Sequence, residues 1–91
     1  MRTWEGFKKD ASKINRTVAS DIEEMEMLAS IVSAIIERRN ELGYSQRKLA
    51  DLCGLPHSSV ARIEACIVKP KIETLIRIMR PLGLTLMAAR A

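Results

Sequence analysis

The chain of 91 residues is long enough for one domain, close to the lower size at which a chain buries a core of its own. Hydrophobic residues account for 47% of it and aromatic residues for only 3%, so its apolar side chains are mostly aliphatic, which favours packed helices over a β-sandwich. No apolar run approaches the roughly 18 residues of a membrane span, and the N-terminus lacks the apolar stretch of a secretory signal. We therefore expect a cytoplasmic, all-α protein that does not enter a membrane.

The two cysteines, Cys53 and Cys66, do not indicate a metal site. They are not spaced as a CxxC pair, and His57 is the single histidine, whereas a structural zinc site needs about four ligands at closer spacing. We interpret both cysteines as small buried hydrophobic residues in a reducing compartment. Neither a metal ion nor another cofactor is expected.

The net charge of +4 is unevenly distributed along the chain. Residues 1–19 have five basic and two acidic side chains, residues 20–42 have two basic and six acidic, and residues 43–91 have eight basic and three acidic. A solvated surface usually mixes its signs, so a basic block beside an acidic one suggests two different partners. The basic C-terminal half can meet phosphates, whereas the acidic stretch cannot.

Residues 1–19 form a polar, basic extension whose only aromatic residues are Trp4 and Phe7. The first helix of the domain is predicted to begin at Ser20, because Ser20 and Glu23 have the spacing of a capping box, in which each side chain bonds the backbone N–H of the other residue. Gly43 is expected to end this helix. Its apolar residues recur at three- and four-residue steps and form one face: Ile22, Met25, Leu28, Val32, Ile35 and Ile36.

Two short helices are predicted next. Ser45 is the N-cap of the first, which extends to Cys53 and is stopped by Gly54. The second covers residues 57–64 and opens after Pro56, since proline is tolerated in the first turn of a helix. The side chains expected to be buried from these two helices are Leu49, Ala50, Leu52, Val60 and Ile63.

A fourth helix is predicted over residues 72–80, ended by Pro81 and Gly83. The residues of this helix that are expected to face the core are Ile72, Leu75, Ile76, Ile78 and Met79. Residues 84–87 alternate in polarity as a short strand does. Because a single strand has no partner in an otherwise helical chain, its unpaired backbone groups predict pairing with a second copy across a dimer.

The helices over 45–53 and 57–64, joined by a tight glycine turn, have the pattern of a helix-turn-helix. The second helix has few apolar residues: Val60 and Ile63 are expected to attach it to the core. Ala50 of the first helix is small enough to let the second helix cross it closely. Its outward face is then free to enter the major groove of DNA, which is about 12 Å wide.

Residues 45–82 resemble the Cro/repressor-like (Xre) helix-turn-helix superfamily. The residues that carry the resemblance are 45–50, Gly54 with Leu55, 58–64, Pro70, 73–75, and Leu82 with Gly83. The resemblance implies a compact bundle of four to five helices over residues 20–83 that binds a palindromic operator in double-stranded DNA as a homodimer. Residues 84–91 would then be a C-terminal strand and tail.

The resemblance also assigns roles by position. Gln46 corresponds to the family's phosphate-binding glutamine at the start of the first motif helix, and Arg62 to a base-reading position from which a guanidinium can contact guanine in two places. Glu64 corresponds to a structural glutamate that pairs with an arginine of the first helix, here Arg39. His57 fits a base contact and an ordinary exposed residue equally well. The expected DNA-binding residues are Gln46, Arg47, Pro56, His57, Ser58, Ser59, Arg62, Lys69 and Lys71.

The chain departs from the superfamily around the predicted reading helix. Pro56 replaces the usual hydroxyl N-cap of that helix. After the structural glutamate, where the family has Ser or Asn, then Gly and a basic residue, this chain has Ala65, Cys66, Ile67 and Val68. The loop therefore lacks its permissive glycine, and the two lysines that follow are expected to supply the missing phosphate contacts.

A helix-turn-helix followed by a short strand looks like the small antitoxins of the HigA and HipB type. That likeness implies a repressor that acts on its own operon and neutralises a basic toxin protein. Trp4 and Phe7 are candidate toxin contacts, because aromatic residues anchor interfaces, although they equally fit packing against their own domain. The acidic residues of 20–42 are able to bind a basic toxin, but they are equally explained as stabilising the positive, N-terminal end of the dipole of their helix.

Two other functions remain open. One is a stand-alone regulator from a phage or mobile element, with the same DNA chemistry and no toxin; the other is a helical module that binds only proteins. An enzyme is not expected, because the serines and the histidine of residues 57–64 are adjacent on one helix, without an oxyanion site or a third catalytic member. A DNA-binding protein of this kind would lie on the bacterial nucleoid.

Overall fold

The computed structural model describes residues 4–90, with the side chains of residues 20–90. Four α-helices follow one another: α1 over Trp4–Glu41, α2 over Gln46–Cys53, α3 over His57–Glu64 and α4 over Ile72–Met79. A 3₁₀ turn over Arg80–Leu82 follows α4 directly. The described chain is thus all-helical, which confirms the predicted fold class.

Helix α1 begins at Trp4, so the prediction that the first helix begins at Ser20 is wrong. A serine acts as an N-cap only where the chain before it is not helical. Residues 7–19 contain neither proline nor glycine, and extending an existing helix costs far less than starting one. The helix therefore continues through Ser20, over 38 residues in all.

The two motif helices have the predicted ends. Ser45 is extended, and its Oγ accepts a hydrogen bond from the backbone N–H of Lys48 at 2.9 Å, which caps α2. Gly54 ends α2 in the left-handed region, with a φ of 70°, and its N–H donates to the carbonyl of Asp51 at 3.3 Å. Pro56, with a φ of −61° and a ψ of 146°, occupies the cap position of α3 itself.

The core lies where the second half of α1 meets the three shorter helices. Arg38 Nε donates a hydrogen bond to the carbonyl of Leu82 at 2.9 Å, so the end of α1 also holds the 3₁₀ turn. The buried side chains of the core are Val32, Ile35, Leu49, Ala50, Cys53, Val60, Ile63, Leu75, Ile78, Met79 and Leu82.

Several apolar side chains that were predicted to be buried are exposed. Leu52 is 46% exposed, and its neighbour Cys53 takes a place in the core instead. On α4, Ile72 and Ile76 are 62% and 41% exposed. Each short helix meets the core on one side only, so apolar residues that lie off that side stay outside. Of the two cysteines, Cys53 is buried as expected and Cys66 is exposed.

The apolar face predicted for α1 is only partly buried. Ile22 and Met25 are 40% and 62% exposed, whereas the side chains from Leu28 onward pack on the core. The other helices cover only the C-terminal part of α1. The exposed apolar residues of its middle part therefore lack a cover from the described chain.

Residues 84–90 form no strand in the described chain, so the predicted strand over 84–87 is not observed. A strand requires hydrogen bonds to a neighbouring strand, and no other segment within residues 4–90 is one. Leu84 packs on the core, and Leu86 and Met87 are 38% and 82% exposed.

Candidate nucleic-acid interface

Helix α3 has one buried side and one exposed side. Val60 and Ile63 are 1% and 4% exposed and attach the helix to the core. His57, Ser58 and Arg62 are exposed. The guanidinium of Arg62 forms no hydrogen bond or ion pair with a described residue, so all five of its N–H groups are available to a ligand.

The remaining predicted contacts near α3 are less uniform. Arg47 and Pro56 are exposed, and Ser59 is half-buried. Lys48, which was not among the predicted contacts, is exposed one residue after Arg47. Helix α2 therefore begins with two solvated cations beside backbone N–H groups that favour anions.

Glu64, the last residue of α3, is held by side chains from the ends of two other helices. Its Oε2 accepts a hydrogen bond from Arg39 Nε at 2.8 Å, and its Oε1 accepts one from Arg39 Nη2 at 3.0 Å. Gln46 Nε2 donates to the same Oε1 at 3.0 Å, and Arg39 Nη1 donates to the carbonyl of Tyr44 at 2.8 Å. The structure thus brings Arg39 and Glu64 together and adds Gln46 and Tyr44 to the pair.

The ion pair of Arg39 and Glu64 has little contact with water. The side chains of Arg39 and Glu64 are 13% and 6% exposed, so fixed donors replace the water that the carboxylate would bind in solution. Gln46 has one amide hydrogen committed to Glu64, while its second hydrogen and its oxygen remain for other partners. A phosphate bound by Gln46 would therefore be held at a fixed position relative to α3.

His57, the first residue of α3, contacts an acid of α2. His57 Nε2 lies 3.1 Å from Asp51 Oδ1, and the two side chains are 49% and 65% exposed. Asp51 was not among the predicted site residues. A separation of six residues across a turn follows no helical period, so the sequence offers no signal for this contact.

The two lysines of the loop before α4 differ in their contacts. Lys69 Nζ lies 3.1 Å from Glu24 Oε2 of α1, in a pair whose side chains are 69% and 61% exposed. Such a solvated pair contributes little to stability, so a phosphate can compete for the ammonium. Lys71 is exposed and occupies the cap position of α4.

The loop after α3 contains a left-handed residue at the position where the superfamily has glycine. Cys66 has a φ of 57°, the only positive φ of a non-glycine residue in the described chain. The N–H of Cys66 donates to the carbonyl of Ile63 at 3.0 Å, and the N–H of Ile67 donates to the carbonyl of Arg62 at 3.1 Å. These two hydrogen bonds cap the C-terminal end of α3. The backbone thus takes a conformation that suits glycine, although the residue is cysteine.

The side chains of Trp4 and Phe7 lie outside the described residues, so the structure does not place these predicted toxin contacts. Among the side chains of residues 20–90, no group of three or more His, Cys, Asp or Glu is arranged to hold a metal ion. None of the described helices has a stretch apolar enough, over sufficient length, to span a bilayer.

Comparison with known proteins agrees with this geometry. The chain is 36% identical over 66 residues to an uncharacterized HTH-type transcriptional regulator of Haemophilus influenzae, in a match that covers 72% of this chain and 67% of that protein. It is 44% identical over 50 residues to the HTH-type transcriptional regulator PuuR of Escherichia coli. That match covers 55% of this chain but only 27% of PuuR.

No solved structure matches the chain significantly. Residues 35–87, more than half of the chain, match the protein family described as Helix-turn-helix. This range contains the last turns of α1, both motif helices and α4. The chain belongs to the Xre-type helix-turn-helix family of DNA-binding transcriptional regulators.

Proposed function

We propose that the protein is a transcriptional repressor that binds a palindromic operator as a homodimer and reads it with α3. One observation carries the proposal. Helix α3 holds the core with Val60 and Ile63, while His57, Ser58 and Arg62 are exposed. A helix with a free polar side fits the major groove, in which each base pair presents a distinct set of donors and acceptors.

The charge of the chain supports the same assignment. Residues 43–91 carry eight basic and three acidic side chains, and Arg47 and Lys48 are exposed at the start of α2. Binding to phosphates releases counterions, so operator affinity is expected to fall steeply as the salt concentration rises. We place this activity on the nucleoid, in the bacterial cytoplasm, and propose no enzymatic role.

The C-terminal segment supports a homodimer. Residues 84–90 have no regular secondary structure, and Leu86 and Met87 are 38% and 82% exposed there. Pairing of this segment with its equivalent in a second copy would satisfy backbone groups of both and cover the apolar side chains. Two copies would then present two α3 helices to half-sites about 34–36 Å apart.

We further propose that this repressor is the antitoxin of a type II toxin–antitoxin pair. The acidic stretch of 20–42 supports the proposal, because Met25 and Met27 are 62% and 61% exposed within it. Flexible apolar side chains among like charges suit a partner of the opposite charge. Trp4 and Phe7 stay candidate toxin contacts. The second candidate function is a stand-alone regulator, which the names of the Haemophilus protein and PuuR favour.

Selection of binding sites from randomised double-stranded DNA, with the full chain, tests the DNA-reading proposal. We expect an inverted repeat whose half-site centres are roughly 10 base pairs, or a multiple of that, apart. Two chains should bind each site. A selection that returns only unpaired half-sites contradicts the dimer, and one that returns no shared sequence contradicts specific reading.

Expression of the full chain beside its neighbouring gene separates the two finer proposals. If the chain is an antitoxin, the neighbour's product arrests growth alone, and the chain restores growth and binds that product in a fixed ratio. If the chain represses its own promoter but relieves no growth arrest, it is a stand-alone regulator.

A further inference from the structure

We propose that Asp51 is a positioning residue for DNA reading: it fixes which ring nitrogen of His57 carries a proton, and so which base His57 selects. The inference rests on the proposed insertion of α3 into the major groove. It adds a residue of α2 that does not itself need to touch DNA.

His57 and Asp51 face each other across the turn between the two motif helices. The distance from His57 Nε2 to Asp51 Oδ1 is 3.1 Å. The backbone between them is held by Gly54, which is left-handed, and by Pro56, whose ring restricts φ. Both side chains are exposed, by 49% and 65%, so the pair lies at the surface and contributes little to folding.

The contact determines the tautomer of the histidine. The carboxylate of Asp51 has no hydrogen to donate, so a hydrogen bond with it requires a hydrogen on Nε2 of His57. A neutral imidazole has a hydrogen on one ring nitrogen only. Nδ1 of His57 then has a free lone pair and acts as an acceptor. Without Asp51, both tautomers are accessible, and Nδ1 is a donor in one and an acceptor in the other.

An acceptor at Nδ1 selects a base that offers a donor in the major groove, which is the amino group of cytosine or adenine. Guanine offers two acceptors there, so one of its lone pairs would face the lone pair of Nδ1. A charged imidazole has hydrogens on both nitrogens. It therefore keeps the bond to Asp51 and donates from Nδ1 to guanine instead.

Nitrogen-15 spectra of the imidazole in the DNA-free full chain, at about pH 8, test the first step. We expect the hydrogen to be mainly on Nε2 in the wild type and spread over both nitrogens in Asp51→Ala. Asp51→Glu should restore the wild-type tautomer, because it returns a carboxylate. An equal tautomer ratio in the wild type and Asp51→Ala overturns the proposal.

Site selection with the same variants, at about pH 8, tests the second step. The wild type should prefer cytosine or adenine at one position of each half-site, and Asp51→Ala should lose that preference about five- to tenfold. Asp21→Ala, which removes an exposed acid from α1, is the control and should keep the wild-type preference.

The outcomes separate this inference from the proposed function. If Asp51→Ala keeps the wild-type base preference, the role of Asp51 is wrong while DNA reading by α3 stands. If the wild type selects no sequence at all, DNA reading by α3 is wrong, whatever the tautomer of His57.

Discussion

Arg39 and Glu64 join α1 to α3 through two parallel hydrogen bonds, 2.8 and 3.0 Å long. Because Glu64 also accepts a hydrogen bond from Gln46, one carboxylate connects the end of α1, the start of α2 and the end of α3. The orientation of α3, and of the exposed side chains that we propose read DNA, therefore depends on an ion pair whose two side chains are largely buried.

Replacing Arg39 by alanine should destabilise the fold by about 3 kcal/mol, because it leaves the nearly buried Glu64 carboxylate with Gln46 as its side-chain partner. Urea unfolding measures this loss. The double variant with Glu64→Ala should lose less than the sum of the two single variants, since the second substitution removes the unpaired charge. Arg47→Ala, at an exposed position of α2, is the control and should change stability by less than about 0.5 kcal/mol. If the double variant loses as much stability as the two single variants together, Arg39 and Glu64 are not energetically coupled.

Two serines with similar sequence contexts should respond differently to substitution. Ser45→Ala removes the bond from its Oγ to the Lys48 N–H and should cost about 1 kcal/mol of unfolding free energy. Ser20 lies inside α1, where alanine is the better helix former, so Ser20→Ala should be neutral or stabilise by a few tenths of a kcal/mol. Urea unfolding of both variants measures the difference. A loss of about 1 kcal/mol in Ser20→Ala would indicate a helix that begins at Ser20.

Two left-handed positions should give opposite effects on stability. Gly54 has a φ of 70° and open space where a Cβ would lie, so Gly54→Ala should cost about 1–2 kcal/mol through backbone strain alone. Cys66 has a φ of 57°, and Cys66→Gly should stabilise the fold by about 0.5–1 kcal/mol, because glycine removes the strain at a smaller entropic cost. Thermal unfolding compares the two variants. Destabilisation by Cys66→Gly would contradict the left-handed assignment.

Arg62→Ala should weaken operator binding and relax the choice of one base. A guanidinium that contacts guanine in two places contributes about 1–3 kcal/mol of discrimination, and Arg62 has no partner among the described residues. Fluorescence anisotropy with operator and single-base variants measures both effects. Arg77→Ala, exposed on α4, is the charge-matched control and should lower all affinities slightly and equally. Unchanged base preference in Arg62→Ala would contradict the placement of α3.

The two cysteines should differ in their reaction with thiol reagents. Burial raises the pKa of the Cys53 thiol, and the nearby charge of Arg77 opposes this only in part, so Cys53 stays protonated and covered near neutral pH. Cys66 is exposed. Mass spectrometry after brief labelling should find one modified residue, Cys66, in the native protein and two after unfolding. Because the pKa of Cys53 is higher in the folded than in the unfolded chain, its contribution to stability is full below the ordinary thiol pKa of 9.0 and is lost as the pH rises from there through the folded pKa.

Local signals were enough to predict both motif helices. Ser45, Gly54 and Pro56 each act on the backbone within one turn of their own position, so the ends of α2 and α3 follow from the sequence. The start of α1 did not follow, because a serine caps a helix only if the chain before it is not helical. Ser20 is a residue type typical of an N-cap, but the backbone before it is helical.

Side-chain positions that depend on packing or on distant partners were predicted less well. Leu52 is predicted to be buried but is 46% exposed, because α2 meets the core on the side that carries Leu49 and Cys53. The pairing of Arg39 with Glu64 came from the family resemblance. The contacts of Gln46 with Glu64 and of His57 with Asp51 depend on how helices meet in space, which no sequence period encodes.

The length of α1 has a mechanical consequence. Its last turn is attached to the 3₁₀ turn by Arg38 and to α3 by Arg39, through hydrogen bonds of 2.9 and 2.8 Å. Most of the 38 residues of α1 precede these two attachments. A force applied to the N-terminal turns of the helix would therefore reach α3 through Arg39 and Glu64.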